Sequence, residues 1–557
     1  MAIILARHRS NFTSSEEELN DLIGNTHISE YFLSIVRDMD LLEPKTPDDI
    51  YKSNEGQRGS SRSSGLFVAT ALDSAKGNLA SSFVNGFVNA GFCKDKLMFD
   101  EENQWVFKNK DHAMTSVVAS LGLIMLWNVE EGMNQMDKYL SRQEDFIKAG
   151  ACLGIGIMSN SVRHDSDPAL ALLTEYIDSP SHVIRLSAII GLSIAYAGSQ
   201  REELMELFIP YIANTEATHF SEVAFSALGL GLIFVGTCND DIGSIILQRL
   251  MEASDAELDD TMSRFLCLGL GLLYLGKTEK AEAVLEAVRT VEHRMGRYAE
   301  ITLETCSYAG TGNVLTVQKM LRLCADHLTD NADHQAAAVL GIALTVVGED
   351  IGTEMSQRSL DHLLQYGELP VKRAVPLAFA LMYISNPDYG VVDQLSRLSH
   401  DADAQLAQSS ILGLGLVSAG TNNSRVAGLL KQLSEFYSKE ADHLFIVRIA
   451  QGLNSMGKGL IGLNPFHSDR FLMNGPSMAG ILTVMHACLS IKTTLLDKYH
   501  FISYFLTTAM NPRVMATIDS DLKLLPTSVR VGVAVETVGQ AGRPKTISGF
   551  QVDLFLI

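Results

Sequence analysis

The sequence predicts an all-α protein, a curved α-solenoid of helical hairpins that carries a small β-containing domain at its C-terminal end. Three observations lead to this fold class. A Gly/Ala-rich phrase recurs along the middle of the chain, each copy lies in an almost wholly apolar segment, and an amphipathic segment follows it. A unit that buries one helix and exposes the other forms a core only by stacking on its neighbours, as solenoid repeats do.

The phrase is an apolar run with small residues seven positions apart. Clear copies are GLSIAYAG at 191–198, GLGLIFVG at 229–236 and GLGLLYLG at 269–276. Ten copies follow one another at intervals of 32 to 40 residues, and they start at Gly122, Gly154, Gly191, Gly229, Gly269, Leu303, Gly341, Ala378, Gly413 and Ala450. This regular spacing predicts one continuous array over residues 112–462.

Each unit is predicted to contain two helices. The first, such as residues 223–235, is apolar on every side and should be buried all round. The phrase ends in Gly, typical of a helix C-cap, and the polar residues after it can cap the second, amphipathic helix. Gly costs a helix up to about 1 kcal/mol relative to Ala, so its presence in the first helices indicates close helix–helix approach. Small inner and larger outer residues predict strong curvature, but the periodicity alone does not predict closure into a ring.

The chain on either side of the array follows other patterns. Residues 1–111 lack the phrase and are predicted to form a helical region with a flexible, exposed loop near 53–65, where the sequence is SNEGQRGSSRSSG. The segments 525–538 and 542–549 read as short strands around turns. We therefore expect a C-terminal domain with short strands over residues 463–557.

The composition is that of an acidic folded protein. With 44 basic and 65 acidic residues the formal charge is −21, which argues against nucleic acid as a main partner and suits basic protein partners. The seven cysteines form no CxxC pair and lie mostly in apolar runs, so we expect reduced core thiols in a cytoplasmic or nuclear protein. No apolar run reaches about 18 residues, so a soluble protein without a membrane span is expected.

One catalytic motif has a literal match. Residues 271–278, GLLYLGKT, fit the phosphate-loop pattern GxxxxGK[ST] and would place Lys277 and Thr278 on a nucleotide. Because the intervening residues are bulky and the same Gly–Gly frame recurs in other repeats without Lys-Thr, we assign the match to the phase of the repeat. A nucleotide-binding enzyme that uses Lys277-Thr278 stays as an alternative of another class. No ligand-spaced His/Cys cluster or nucleophile motif is present, so no catalytic residue, metal or cofactor is predicted.

The phrase resembles the proteasome/cyclosome repeat, which is shared by two non-ATPase scaffold subunits of the proteasome regulatory particle and the largest subunit of the anaphase-promoting complex. Motifs outside the phrase resemble the base subunit that receives ubiquitin and ubiquitin-like domains. They are EPKTPDDIY at 43–51, NLASSFVNGFVN at 78–89, NKDH at 109–112, DKYL at 137–140, GTNN at 420–423, HSDR at 467–470 and VGQAGRPKTISGFQ at 538–551. Chains of this family are longer, so the resemblance implies a chain shortened at both ends. The sister scaffold subunit, without ubiquitin docking, is the alternative within this class.

The resemblance implies a non-enzymatic scaffold of the 26S proteasome base whose repeats close into a toroid. It implies location in the cytoplasm and nucleus. The implied partners are the proteasomal ATPase ring, ubiquitin, the ubiquitin-like domains of shuttle receptors, and a deubiquitinase. No nucleic acid or membrane partner is implied.

The resemblance also implies where partners dock. The family's acidic docking helix matches residues 239–252, NDDIGSIILQRLME. At 100° per residue Asp241, Gln248 and Glu252 form one stripe, and Ile245 lies beside it. The side chains expected to face the array are Ile242, Ile246, Leu247 and Leu250.

Further candidate residues lie around this helix. Those expected to flank the docking site are Asp240, Glu206, Glu279 and Glu282. A second docking surface of the family falls within residues 129–140, where Glu131 and Gln135 are the candidates.

Overall fold

The computed structural model describes residues 2–7, 12–52, 75–99, 105–164, 166–215, 219–328, 332–466, 473–517, 519, 524–531, 543–548 and 550–552. The loop predicted near 53–65 lies outside these residues. The N-terminal helices are α1 (Ala2–Arg7), α2 (Glu17–Ile23), α3 (Ile28–Asp38) and α4 (Pro47–Lys52).

Eleven inner helices follow in the described part of the chain, and each packs on the next one in sequence. They are α5 (Ala75–Val88), α6 (His112–Ile124), α8 (Asp145–Met158), α10 (His182–Ala195), α12 (Phe220–Ile233), α15 (Ser263–Leu273), α17 (Arg294–Ser307), α19 (Asp333–Val346), α21 (Leu369–Met382), α23 (Ala404–Val417) and α25 (Ala441–Asn454). All fourteen residues of α12 are buried, as its apolar sequence predicts. The glycines allow the close packing, since a Cβ on Gly231 would lie 2.5 Å from the carbonyl oxygen of Gly269.

The outer helices are amphipathic. They are α7 (Val129–Leu140), α9 (Pro168–Ile177), α11 (Glu202–Ala213), α13 (Asp240–Glu252), α16 (Thr278–Val288), α18 (Val314–Cys324), α20 (Asp350–Tyr366), α22 (Tyr389–Leu398) and α24 (Ser424–Phe436). A short helix, α14 (Asp255–Leu258), follows α13. Several begin at an Asn whose side chain accepts hydrogen bonds from the first turn, such as Asn239 and Asn423.

The glycine that ends the phrase links each unit to the next. Gly198, Gly236, Gly276 and Gly420 all have φ between +66° and +78°, the left-handed conformation that Gly adopts at little cost. Their backbone N–H groups donate to carbonyl oxygens near the end of the following inner helix, for example from Gly236 to Leu272 at 3.0 Å. A carbonyl that would lack a partner at a helix end is thereby satisfied by the neighbouring unit.

The first inner helix also meets the last one. A Cβ on Gly452 in α25 would lie 3.1 Å from the Cα of Val84 in α5, and the rings of Phe83 and Phe445 pack edge to face at 6.3 Å. An ion pair joins Lys76 to Asp442 across the same contact. The predicted all-α solenoid is confirmed; its closure into a toroid remains a prediction, which this contact favours.

The segment after the array packs against several inner helices. It contains α26 (Gly475–Cys488) and a 3₁₀ helix (His500–Ala509), which contact α6, α10, α12, α15 and α21 between them. The Tyr504 hydroxyl donates to the Ser116 carbonyl at 2.6 Å, and the Tyr298 hydroxyl lies 2.6 Å from Nδ1 of His486. Residues 475–509 therefore tie together units that are far apart in sequence.

Short strands lie on either side of the 3₁₀ helix and near the end of the chain. They are β1 (Ile461–Leu463), β2 (Met510–Pro512), β3 (Val514–Ala516), β4 (Pro526–Val531), β5 (Arg543–Ser548) and β6 (Phe550–Val552). The pairs β1–β2, β3–β6 and β4–β5 are antiparallel. Strands within 525–538 and 542–549 were predicted, and β4 and β5 confirm them. The domain boundaries at 111 and 462 stay predictions; α5 and α26 lie outside 112–462 yet pack on helices of the array.

Most of the cysteines lie in the core, as their positions in apolar runs predict. Six of the seven cysteines are buried and all are free, and burial raises the pKa of Cys267 and Cys306 to about 12. Neutral, inaccessible thiols are what the scattered apolar positions predict. Within the described residues, no helix is both long and apolar enough to cross a bilayer.

Candidate docking site

The candidate docking helix α13 is held by its apolar side. Asn239 caps it by accepting hydrogen bonds from the amides of Asp241 and Ile242, both at 3.1 Å. Ile242, Ile246 and Leu250 are buried against the array, as predicted, and Leu247 is half-buried. The predicted register of the helix is therefore confirmed for its inward side.

The opposite side forms an exposed polar stripe. Asp241, Gln248 and Glu252 are all exposed, and Gln248 Nε2 donates to Glu252 Oε1 at 2.8 Å. Ile245 is half-buried beside them. We call Asp241, Gln248 and Glu252 the acidic stripe, and Ile245 lies along one of its edges.

Met251 is an exposed apolar neighbour that the sequence reasoning missed. Its side chain is 54% exposed, on the opposite side of the stripe from Ile245. Its helical angle, about 60° from Gln248, could have shown this position. The acidic stripe thus has an apolar side chain along each edge.

A buried ion pair fixes the C-terminal end of α13. Arg249 has only 2% of its side chain exposed and pairs with Glu257 of α14. Its guanidinium also lies 5.7 Å from the centre of the Phe220 ring. Burial raises the pKa of Glu257, but hydrogen bonds from Arg249 and Ser254 outweigh it and hold that pKa below its ordinary value. The charged pair joins α14 to the end of α13, and the Ser254–Glu257 capping box stabilises the start of α14.

The neighbouring outer helices flank the acidic stripe. Helix α13 contacts α11 on one side and α16 on the other. Glu206 of α11 and Glu279 and Glu282 of α16 are exposed, as is Asp240 at the start of α13. Within the described residues, none of these four carboxylates, nor that of Asp241, has a basic group within 4 Å. The structure therefore places the predicted flanking acids on three adjacent helices.

The second candidate surface, on α7, is differently arranged. Glu131 is exposed, but its carboxylate accepts a hydrogen bond from Asn128 at 3.0 Å as part of the helix cap. Gln135 is half-buried and accepts a hydrogen bond from Lys138 at 2.8 Å. Both side chains have hydrogen-bond partners on or at the cap of their own helix, as Glu252 has on α13.

The phosphate-loop match has the wrong local structure for a phosphate site. Gly271 lies inside helix α15, with the Cys306 sulfur 3.1 Å from the position of a Cβ. The Gly276 amide donates to the carbonyl oxygen of Cys306 at 2.9 Å, so it is not free to bind a phosphate. Lys277 is the N-cap residue of α16. A phosphate loop joins a strand to a helix, whereas this turn joins two helices and its Gly276 and Lys277 amides already donate to carbonyl oxygens.

One further polar cluster lies outside the predicted sites. Glu222 of α12 accepts hydrogen bonds from His182 at 2.7 Å and from Arg185, beside a cleft of about 330 Å³. Burial raises the pKa of Glu222, but these two hydrogen bonds outweigh it and hold the pKa below its ordinary value. Arg185 also donates to the carbonyls of Ser179 and Pro180. The cluster is satisfied internally and joins α10 to α12. Across the described ranges, no three His, Cys, Asp or Glu side chains are grouped as metal ligands would be.

Comparison with known proteins gives family matches in the N-terminal region and in the array, and relatives that match along almost the whole chain. The RPN1 N-terminal domain family matches residues 1–54, and the proteasome/cyclosome repeat matches residues 409–442. The 26S proteasome non-ATPase regulatory subunit 2 of Dictyostelium discoideum is 46% identical over 536 residues, which are 96% of this chain and 58% of that protein.

Two further relatives show the same extent. The non-ATPase regulatory subunit 2 homolog A of Arabidopsis thaliana is 49% identical over 566 residues, covering 98% of this chain and 62% of that protein. The regulatory subunit rpn1 of Schizosaccharomyces pombe is 45% identical over 558 residues, which cover 99% of this chain and 62% of that protein. The chain thus spans about six-tenths of the length of these relatives.

Proposed function

Because the chain belongs to the family of the 26S proteasome non-ATPase regulatory subunit 2, we propose that it is a regulatory scaffold subunit of the proteasome base. In this role it carries out no chemistry and brings ubiquitinated proteins to the ATPase ring for degradation. The observation that supports a scaffold is its architecture, a stack of helical units with an outer layer of separate exposed helix faces. Such repeat surfaces are used to bind proteins.

The acidic stripe of α13 is the proposed docking site for ubiquitin and for the ubiquitin-like domains of shuttle receptors. Asp241 and Glu252 present carboxylates to solvent, and Ile245 and Met251 supply apolar contact area on either side. A ubiquitin fold offers a basic rim around an apolar patch, which is the complementary arrangement. Interfaces of this type take specificity and association rate from the charges and much of their affinity from the apolar centre.

The flanking acids support the same site. Glu206, Glu279 and Glu282 lack basic partners in the described part of the chain and extend the negative surface over α11 and α16. Unpaired carboxylates on three adjacent helices raise the local concentration of a basic partner and speed its approach. The proposed footprint is therefore centred on α13 and reaches both neighbouring helices.

A deubiquitinase is the proposed partner of the second surface, around Glu131 and Gln135 on α7. The hydrogen bonds of these residues with Asn128 and Lys138 lie along one exposed helix side and would have to be exchanged for contacts with the partner. Contacts with the proteasomal ATPases and location in the cytoplasm and nucleus complete the proposal.

Two alternatives to this proposal can be told apart from it. The first is a scaffold subunit without ubiquitin docking, which the titration below separates from the proposal. The second is an enzyme that binds nucleotide through Lys277 and Thr278, and the helix–turn–helix structure of that segment argues against it.

The test is a titration of ubiquitin and of a shuttle receptor's ubiquitin-like domain with the Asp241→Arg, Glu252→Arg double variant. We expect binding to weaken by on the order of 1–3 kcal/mol because attraction becomes repulsion at the centre of the interface. Both side chains are exposed, so the fold should be unaffected.

The matched control makes the same charge change on other outer helices, with Glu175→Arg and Glu435→Arg, two exposed residues of α9 and α24. It should bind as the wild type does. Equal affinity of the folded double variant and the wild type would refute the assignment of α13.

A further inference from the structure

Exposed apolar side chains are concentrated on one part of the outer layer. Among the described residues fourteen large hydrophobic side chains are exposed, and eight of them fall within residues 314–389. Six of the eight lie on three consecutive outer helices, with Tyr366 at the end of α20. The other five lie at or near the start of a helix: Val314 and Leu315 on α18, Ile351 and Met355 on α20, and Tyr389 on α22. We call these five residues, with the exposed side of α20, the α20 face. A concentration of exposed apolar side chains on neighbouring helices is typical of an interaction site.

The five residues share one side of the array because each lies at or near the start of its outer helix. The turns before α18 and α20 are adjacent, since the Gly312 amide donates to the Thr345 carbonyl at 2.8 Å. Helices α20 and α22 are joined by a hydrogen bond between Asp361 and Gln394. The starts of α18 and α20 therefore lie side by side, and α22 packs beside the later turns of α20.

Helix α20 carries an exposed stripe along its whole length, which is apolar at both ends and basic in the middle. Ile351, Met355, Arg358, His362 and Tyr366 follow one another at steps of four, three, four and four residues, and all five are exposed. These steps keep them within about 80° of one another, in a stripe about 22 Å long. The same spacing brings two helices together along their length in coiled coils. A partner helix of about four turns would match the stripe.

The α20 face carries exposed positive charge, whereas the acidic stripe of α13 carries negative charge. Arg358 lies at the centre of the α20 stripe and Arg322 is exposed on the neighbouring α18. Neither arginine has an acidic group within 4 Å in the part of the chain that the structure describes. Two unpaired guanidinium groups among exposed apolar side chains attract carboxylates.

We propose that the α20 face binds an amphipathic helix of a partner protein, apolar at both ends and acidic in the middle. Leucine-like side chains at one end would contact Ile351 and Met355, and those at the other end would contact Tyr366. Carboxylates between them would pair with Arg358 and Arg322. This surface is separate from the ubiquitin site and does not depend on it.

A second copy of this chain fits the surface less well than an acidic helix. Two-fold antiparallel pairing of α20 with itself would bring Arg358 opposite Arg358 of the other copy, because it lies midway between Ile351 and Tyr366. Like charges that face each other at the centre of an interface disfavour that pairing.

The experiment titrates the full chain against two synthetic stapled helices of about 18 residues, which are about 27 Å long. Both have leucines at the two ends of one face; one has glutamates in the middle of that face and the other has lysines. The wild type should bind the glutamate helix at least tenfold more tightly than the lysine helix. Met355→Ser removes apolar contact without adding charge and should weaken binding of the glutamate helix on the order of tenfold. Arg358→Glu should reverse the preference between the two helices.

Matched controls make comparable substitutions elsewhere. Phe436→Ser removes an exposed apolar side chain, 64% exposed against 56% for Met355, on α24, and Arg142→Glu changes an exposed arginine after α7. Both should leave binding of the glutamate helix unchanged. Equal binding of the two helices by the wild type would overturn the proposal.

Two other results would assign the α20 face to a different occupant, and either one would also overturn the proposal. One is a dimer in sedimentation that Ile351→Arg dissociates, which would identify a second copy. The other is binding to vesicles containing phosphatidylserine that Arg358→Glu abolishes, while neither synthetic helix binds.

Discussion

Replacement of Gly156 by Ala tests the physical role of the repeated glycines. Gly156 lies in inner helix α8, and a Cβ added there would stand 2.2 Å from the carbonyl oxygen of Gly191 and 2.4 Å from its Cα. Both atoms belong to the backbone of α10 and cannot rotate away. Normal contact distances would require the two helices to separate by about 1 Å, with loss of dispersion contacts along their interface.

Two opposing effects determine how much Gly156→Ala changes the free energy of unfolding. Overpacking a core costs about 1–3 kcal/mol, and the rigid backbone obstacle places Gly156→Ala at the upper end. Ala in place of Gly returns up to about 1 kcal/mol through helix propensity and the smaller entropy of the unfolded chain. The net prediction is a loss of about 2 kcal/mol in the free energy of unfolding.

Gly413→Ala is the matched control on inner helix α23. Its added Cβ would find the Pro376 carbonyl oxygen at 3.2 Å and Leu395 side-chain carbons at 3.4 and 3.6 Å, which small shifts accommodate. We expect no loss of stability, or a gain of up to about 1 kcal/mol. The assay is urea unfolding followed by far-ultraviolet circular dichroism, with midpoints compared between the variants because a repeat array need not unfold in two states. Equal midpoints for Gly156→Ala and Gly413→Ala would refute the close-packing explanation.

Three further predictions follow from the ion pair, the buried histidine and the phosphate-loop match. Glu257→Ala leaves the buried Arg249 charge unpaired and should destabilise the chain by about 3 kcal/mol in urea unfolding, whereas an effect under about 0.5 kcal/mol would contradict the pairing. Burial lowers the pKa of His486 to about 3, below the ordinary 6.5, so the unfolded chain binds more protons between these pH values and stability should fall as pH drops from 6.5 towards 3. His486→Gln, which keeps a polar partner for Tyr298, should flatten that part of the pH profile of urea midpoints; an unchanged slope would contradict the assignment. Lys277→Ala should not change the binding of a fluorescent ATP analogue, and a loss of binding would favour the nucleotide alternative.

Much of the array could be predicted from the sequence because one physical requirement recurs in every unit. The phrase fixes a buried helix, and its last glycine fixes the turn, as the positive φ values of Gly198 and Gly276 confirm. Helix α5 was not assigned to the inner layer, because NLASSFVNGFVN contains three asparagines and does not match the phrase. Asn85 and Asn89 are buried with hydrogen bonds to Asp95 and Lys45, and such distant partners leave no periodic signal.

The packing of residues 475–509 on the array was also beyond sequence reasoning. The apolar character of α26 shows that it is buried but not which surface buries it. That surface is set by contacts such as Tyr504 with Ser116, which are 388 positions apart in sequence.

For the candidate docking site, too, the sequence predicted some features and not others. The helical period placed Asp241, Gln248 and Glu252 on one exposed side and Ile242, Ile246 and Leu250 inside, because amphipathic periodicity reports burial directly. The helical period does not show which side chains pair, so the pairing of Arg249 with Glu257 could not be predicted from it. The hydrogen bonds that occupy Glu131 and Gln135 could not be read from composition for the same reason.

The most direct test of the central claim is a photo-crosslinking residue in place of Ser244, which is exposed on α13 between Asp241 and Gln248. A second crosslinker in place of Gln318, exposed on α18, serves as the comparison. With ubiquitin in solution, the account predicts a crosslink from position 244 that the Asp241→Arg, Glu252→Arg background removes, and none from position 318. Equal crosslinking from both positions, or a crosslink from position 244 that persists in the double-variant background, would contradict it.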